Sequence, residues 1–235
     1  MQKGIVWRSL FYHLSMAVIF FSLLSNITLA DVADFAGTYA GTFEGDDTGI
    51  WRAIVKKDGY MEAITWSTLY NEVNWGIENI DANGNFSFYD VFGNYIITGS
   101  IDSEGNLSAT CSGGIFYTMI GQIVQKDEIA QYVGTYSGTC TGDETWNWSG
   151  NIQPDGRMVS SNGEAEGAIG PDGRYIAVDS DNTGYYGVID QIGNITGYWH
   201  NPTYGMEGQM SGSRTSSKNG GGGGGGGCFL NSVTK

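Results

Sequence analysis

Residues 37–61 read GTYAGTFEGDDTGIWRAIVKKDGYM, and residues 134–158 repeat them as GTYSGTCTGDETWNWSGNIQPDGRM. The two stretches align without a gap at an offset of 97, and twelve of the 25 positions are identical. Self-similarity at a fixed offset is the signature of a duplicated structural unit. The sequence therefore predicts two copies of one module.

A second matching block sets the size of the module. Residues 99–102 correspond to residues 187–190, but at an offset of 88. The second copy thus lacks nine residues between the blocks, and we place this loss in the hairpin around 68–76. We expect the first module at 35–125 and the second at 132–214, with a short acidic linker between them.

The pattern within each module is that of a β-meander. Turn dipeptides such as Asp58-Gly59, Gly105-Asn106 and Gly193-Asn194 recur every 10 to 20 residues, and they suit tight hairpins. The segments between them alternate with period 2. For example, Trp51 and Val55 share a face opposite Arg52, which predicts Arg52 on a solvated surface.

The predicted fold class is therefore all-β, with two tandem antiparallel β-meander modules. We expect seven or eight short strands in each module. A meander of this length can close into a small barrel, which removes its edges. Each module is thus expected to be a small barrel or a strongly coiled sheet.

Composition excludes several classes of protein. The chain of 235 residues has 38 Gly, 3 Pro and a net charge of −14. A nucleic-acid binder needs basic patches, so a nucleic-acid partner is not expected. Collagen is excluded because the glycines have no three-residue period.

The N-terminus has the features of a secretory signal peptide over residues 1–30. Lys3 and Arg8 precede an apolar stretch at 14–24 that is short for a membrane span. Small residues at Thr28 and Ala30 favour cleavage before Asp31, although an uncleaved anchor is the alternative. Cleavage would leave a chain with net charge −16 and no integral membrane segment.

The C-terminus, residues 215–235, is predicted to be a disordered tail. Residues 220–227 are eight consecutive glycines, and Cys228-Phe229-Leu230 follows them. The tail resembles those of exported bacterial proteins in which a glycine run precedes a Cys-Phe-Ile box. This resemblance implies an exported protein with Cys228 as an attachment or modification site for a sorting or tail-processing system. The alternative is an incidental thiol.

The modules also resemble small bacterial surface barrels and the meanders of avidins and lipocalins. The likeness lies in a G-x-[YW] opening strand and in the hairpin rhythm. It implies a barrel fold and assigns no binding residue.

Two further cysteines occupy inward positions of different modules. Cys140 replaces Phe43 at the first offset, and Cys111 replaces Trp199 at the second. In one continuous meander their strands would flank a third strand at 114–124. The Cα atoms would then be roughly 9–10 Å apart, too far for a disulfide. We expect both thiols to be buried and reduced.

Candidate ligand-binding residues are the duplicated inward rings Tyr39, Trp51, Tyr136 and Trp148. Gly41 and Gly138 would leave room for such rings. A core role is the simpler interpretation of these rings, and a ligand cup is the functional alternative. Other aromatic residues near hairpin ends would suit a sugar platform beside Asn, Asp or Gln: Trp66, Trp75, Tyr185, Tyr186, Trp199 and Tyr204.

No catalytic residue, metal site or cofactor is predicted. His200 is the one histidine left after cleavage, and it has no counterpart in the first copy. Acidic residues cluster in the first hairpin of each copy and near Asp179 and Asp181. Calcium would suit such turns, but the EF-hand spacing is absent and solvated turns are the simpler interpretation.

The sequence thus favours an exported bacterial protein, located in the periplasm, at the cell surface or outside the cell. Its expected role is non-enzymatic binding or structure, with an unknown ligand or surface partner. A small-molecule or carbohydrate-binding β-barrel is the alternative. A carbohydrate-active enzyme is the third possibility.

Overall fold

The computed structural model describes residues 31–89 and 96–216. The described part of the first module has eight strands: β1 (Gly37–Gly45), β2 (Gly49–Val55), β3 (Tyr60–Ser67), β4 (Glu72–Asn79), β5 (Asn85–Tyr89), β6 (Ile96–Ile101), β7 (Asn106–Ser112) and β8 (Tyr117–Ile123). The second module also has eight: β9 (Gly134–Gly142), β10 (Trp146–Ile152), β11 (Arg157–Ser160), β12 (Ala165–Ile169), β13 (Arg174–Asp179), β14 (Gly184–Ile189), β15 (Asn194–Asn201) and β16 (Met206–Ser216). The all-β prediction of two tandem antiparallel meanders is confirmed.

Each meander returns to its own first strand. In the first module, β8 pairs with β1, and β4 and β5 are the edges of a nearly closed eight-stranded sheet. In the second module, β16 pairs with β9 and closes the barrel. The continuous meander across both modules, used to space the cysteines, is therefore wrong. Hydrogen bonding to the first strand satisfies an edge that would otherwise be exposed.

Turns in the two modules have the same backbone conformation and hydrogen-bonding pattern. Gly105 and Gly193 have φ of 80° and 92°, values that disfavour other residues. Before each of them, an Asp carboxylate accepts the backbone N–H of the Asn four residues later. These bonds join Asp102 to Asn106 at 2.9 Å and Asp190 to Asn194 at 2.8 Å. The predicted Gly-Asn hairpins are confirmed at these positions.

The two modules pack side by side through outward faces of their sheets. Ile50 and Ile64 of the first module and Ile176 and Val178 of the second form one buried cluster. Arg52, expected in solvent, is 2% exposed because this contact covers it. Arg52 does lie on the outer face of β2, as the alternation implies, but the second module rather than water covers that face.

A long hairpin of the first module makes much of this contact. Strands β3 and β4 have eight residues each, whereas their counterparts β11 and β12 have four and five. Most of the nine-residue difference thus falls around the predicted place. The hairpin reaches β14, where a Cβ on Gly184 would lie 2.4 Å from Cβ of Val73. The Trp75 indole N–H also donates to Asn182 Oδ1 at 2.7 Å.

The linker and the start of the tail differ in detail from the sequence expectation. The short acidic linker contains a helix, α1 (Lys126–Ile129). Glu128 caps it by accepting the backbone N–H of Gln125 at 3.1 Å. The last strand continues to Ser216, so residues 215 and 216 belong to the sheet rather than to the tail. The predicted signal peptide and Cys228 lie outside the described residues.

Cys111 and Cys140 are buried in two different cores, and neither forms a disulfide. The expectation that both thiols are buried is confirmed. The physical reason is the closure of each module on itself, which puts the two residues inside separate sheets.

Candidate functional site

Three of the four side chains that the sequence nominated as ligand contacts are buried inside the modules. Tyr39, Trp51 and Tyr136 are each about 1% exposed. The Tyr39 hydroxyl donates to the Phe35 carbonyl at 2.8 Å, and the Tyr136 hydroxyl donates to the Tyr132 carbonyl at 2.7 Å. These duplicated bonds satisfy buried polar groups. The packing favours a core role for all three residues.

The tryptophans at the second duplicated position differ between the copies. The Trp51 ring lies against Gly41 and Gly121, where an added Cβ would be 2.7 Å and 2.4 Å from ring carbons. The glycine prediction is thus correct for Gly41. Trp148 is partly exposed, and its indole N–H donates to the Ser211 carbonyl at 3.2 Å.

The acidic turns considered for calcium hold the sheets together instead. The Asp46 carboxylate accepts the backbone N–H of Phe116 at 2.9 Å. At the repeat offset, Asp143 accepts the backbone N–H of Glu207 at 3.0 Å. Each bond ties the first hairpin of a module to its last strand pair. Within 31–89 and 96–216, no group of three or more His, Cys, Asp or Glu side chains is placed to hold a metal ion.

An open groove of about 490 Å³ lies on the outside of the second barrel. Its volume is within the range of small-molecule sites. Strands β14, β15, β16 and the end of β9 form its floor, and the tip of the β3–β4 hairpin contributes one residue. The lining side chains and backbone belong to Asn71, Thr141, Gly142, Asp143, Tyr186, Tyr198, Trp199, His200, Glu207, Gly208 and Gln209.

A row of stacked aromatic rings runs from Trp66 of the first module to this groove. Trp66 stacks on Tyr186 with ring centroids 4.7 Å apart and an interplanar angle of 18°. Tyr186 stacks in turn on Tyr198 at 5.6 Å and 21°. Tyr186 and Tyr198 are direct cross-strand partners of β14 and β15. Tyr186 is 7% exposed and Tyr198 is 52% exposed, so the row ends in an open ring face.

Polar groups surround the open ring. Gln209 is the partner of Tyr198 in the register of β15 and β16, and Glu207 pairs with His200. The Tyr186 hydroxyl donates to Asn71 Oδ1 at 2.7 Å. Burial raises the pKa of Tyr186, so its hydroxyl keeps the proton that it donates. The groove therefore offers an apolar ring face beside amide, carboxylate and imidazole groups.

Sequence reasoning identified part of this site. Trp66 and Tyr186 were among the aromatic candidates, but Asn71, Tyr198 and Gln209 were not singled out. Tyr186 and Tyr198 are brought together by strand register, which requires knowledge of which hairpin joins them. The Gly193-Asn194 turn between them was a usable signal, because it fixes that register. The structure does not bring Tyr204 or Trp75 into the groove lining.

A pair of carboxyls lies in the β13–β14 turn. Asp179 accepts the Tyr185 hydroxyl at 2.8 Å and the backbone N–H of Thr183 at 2.9 Å. Burial raises the pKa of Asp179 to about 7, with a hydrogen bond to Asp181 contributing. The hydrogen bond to Asp179 lowers the pKa of Asp181. The pair thus shares a proton over a range in which isolated carboxyls are charged.

No protein-family model matches the chain, and no curated protein matches it. Among solved structures, the chain is similar to a double mutant of the vaccine antigen transferrin binding protein B from Haemophilus parasuis Hp5. The identity is 9%, the TM-score is 0.24, and the match covers 70% of this chain. The chain matches about half, 53%, of that protein's length. No described helix is long and apolar enough to cross a membrane.

Proposed function

We propose that the protein is an exported, non-enzymatic binding protein whose groove on the second barrel holds a carbohydrate. The observation that carries the proposal is the exposed face of Tyr198 at the end of the Trp66–Tyr186–Tyr198 stack, with polar side chains around it. A sugar ring has apolar C–H faces and hydroxyls around its edge. An aromatic face with hydrogen-bonding neighbours complements both.

The stack supports a platform because it fixes the ring in advance. Tyr186 is held by Trp66 on one side and by Asn71 at its hydroxyl. Tyr198 packs on this ring, which has a second stacking partner and a hydroxyl partner, and should need little further ordering when a ligand arrives. Preorganisation of this kind reduces the entropy cost of binding.

The barrel interiors are less suited to a ligand. Tyr39, Trp51 and Tyr136 fill them and bond to the backbone, with almost no exposed surface. A carrier would need an internal cavity comparable to the groove. The small-molecule alternative is therefore proposed at the groove rather than inside a barrel.

A binding role also suits Asp143, one of the two acidic residues in the groove lining. Asp143 accepts a backbone N–H from Glu207, a structural duty that its counterpart Asp46 repeats in the first module. The signal-like residues 1–30 support export, and surface attachment through Cys228 is part of the proposal.

The test is calorimetric titration of the full chain with glucose, galactose, N-acetylglucosamine and their linear β-linked hexasaccharides. We expect one of these series to bind, and Tyr198→Ala to weaken the dissociation constant about tenfold, equivalent to roughly 1.4 kcal/mol. Bound saccharide is recovered intact by chromatography.

Tyr89→Ala is the matched control. Tyr89 is 62% exposed on the first module, so its loss removes an open tyrosine ring away from the groove. It should leave saccharide affinity unchanged. Absence of binding across all series would refute the carbohydrate assignment, as would equal affinities for Tyr198→Ala and the unaltered protein. Cleavage of the bound saccharide would refute the non-enzymatic role.

A further inference from the structure

We infer that the β3–β4 hairpin of the first module is the positioning element of the second module's groove, so that the duplicated chain binds one ligand rather than two. The inference rests on the proposed function for the identity of the ligand. Its structural part concerns Asn71 and Trp66, which belong to one module and hold the tyrosines of the other. Neither residue needs to touch the ligand for this role.

The hairpin holds Tyr186 at two points. Trp66 is in β3, and its ring covers one face of Tyr186 at 4.7 Å. Asn71 is at the hairpin tip, and its Oδ1 accepts the Tyr186 hydroxyl at 2.7 Å. A face contact and a hydroxyl contact together fix both the plane and the direction of the ring. Tyr198 rests on the ring that they fix.

The hairpin tip is shaped for this contact. Asn71 has φ of 55°, in the left-handed region that disfavours most side chains. Asn tolerates this conformation better than most residues and also supplies an oxygen acceptor. Glycine would suit the backbone equally well but would supply no acceptor. The Asn71 side chain can therefore be removed, by substitution with glycine, without disturbing the backbone of the turn.

The first module lacks the same site. At the offset of 88, Tyr186 and Tyr198 correspond to Thr98 and Thr110. These threonines are cross-strand partners in the same register, and their hydroxyls are 3.4 Å apart. The second module in turn has a shortened β11–β12 hairpin, which is too short to play the part of the β3–β4 hairpin. The two tyrosines of the groove thus belong to the second module, and the hairpin that holds them belongs to the first.

The experiment compares Asn71→Gly, Asn71→Asp and Tyr186→Phe in the full chain. Asn71→Gly and Tyr186→Phe each remove one side of the same hydrogen bond, and we expect each to weaken saccharide binding about fivefold. The double variant should be no weaker than either single variant, because both disrupt one bond. Asn71→Asp keeps an acceptor and should bind nearly as the unaltered protein does. Calorimetry should give one site per chain.

A second measurement needs no ligand. Aromatic ¹H–¹³C NMR of tyrosine-labelled protein reports the stacking of Tyr198 through ring-current shifts. We expect Asn71→Gly to move the Tyr198 resonances towards unstacked values, with the melting temperature nearly unchanged. A merely structural hairpin would alter the melting temperature and leave these resonances in place.

The two measurements separate the two proposals. If no saccharide binds but Asn71→Gly shifts Tyr198, the carbohydrate function fails and the positioning role stands. If saccharides bind and Asn71→Gly changes neither affinity nor the Tyr198 resonances, the positioning role is overturned. Two sites per chain would also overturn it.

Discussion

Arg52 Nη2 in the first module and Asp172 Oδ1 in the second are 3.1 Å apart, in an ion pair that joins the two barrels. The pair is unequal, because Arg52 is 2% exposed while Asp172 is 51% exposed. Burial lowers the pKa of Arg52 to about 10, which leaves it charged at neutral pH. The same guanidinium donates to the Trp51 carbonyl at 2.8 Å and to the Arg174 carbonyl at 2.9 Å.

Substitution of the two partners should therefore have unequal effects on stability. Arg52→Ala removes two hydrogen bonds to carbonyls and opens a space between the modules where a buried side chain stood, so we expect a loss of about 2–4 kcal/mol. Asp172→Asn removes a half-exposed partner and should cost about 0–1 kcal/mol. Urea unfolding of both variants checks the difference. Equal losses would mean that the ion pair, rather than the carbonyl contacts, stabilises the contact between modules.

The duplicated tryptophans provide a second paired comparison. Trp51→Ala should cost about 3–5 kcal/mol, because the ring is fully buried against Gly41 and Gly121. Trp148→Ala should cost less, since its ring is partly exposed. Thermal unfolding at one pH compares the two variants. A larger loss for Trp148→Ala would contradict the assignment of Trp51 as a core residue.

The raised pKa of Asp179 predicts that stability falls as the pH rises, which is the opposite of the usual effect of a carboxyl. Its pKa is about 7 in the folded protein and near 3.8 when unfolded. The folded state therefore binds more protons between these values, and stability falls as pH rises from about 4 to 7. Asp179→Asn should abolish this component and raise the melting temperature at pH 8 relative to the unaltered protein.

Asp190→Asn is the control for that measurement. Hydrogen bonds from Asn194 lower the pKa of Asp190, so its stabilising contribution is present above the unfolded pKa and is lost in acid. This variant should be less stable at neutral pH, with the difference shrinking as the pH falls. Melting curves between pH 3 and 8 test both signs, and parallel curves for Asp179→Asn and the unaltered protein would contradict the first.

Thiol labelling tests the burial of the cysteines. Burial raises the pKa of Cys140 to about 12, and Cys111 is fully buried. In a Cys228→Ser variant, we expect no reaction with a thiol reagent at pH 8 in the native state. Two thiols should react after denaturation. Rapid native labelling would show that one of the barrels opens readily.

The repeat and the period-2 alternation were sufficient to predict the modules, their strands and the residues that face inward. Tyr39 and Trp51 are buried as their alternation implies. Alternation separates two faces, but it does not say what covers the outer one. Ile50 and Ile64 were apolar residues on that face, and they carried a signal for a second packing surface. Arg52 was misassigned because its neighbour comes from more than 100 residues away.

The groove was harder to predict for the same physical reason. Tyr186 and Tyr198 meet through the register of one hairpin, which local sequence can indicate. Trp66 and Asn71 reach them from the other module, a contact that depends on how the barrels pack. Long-range packing of this kind leaves no periodic trace in the sequence.

Gly184 makes the contact between the modules specific for the second copy. Val73 of the long hairpin fits against β14 because Gly184 has no Cβ. At the matching position the first copy has Ile96, whose side chain would fill that space. The first module therefore lacks, at this position, the space that receives Val73 in the second. The contact is heterologous, because it joins two different surfaces of the two copies.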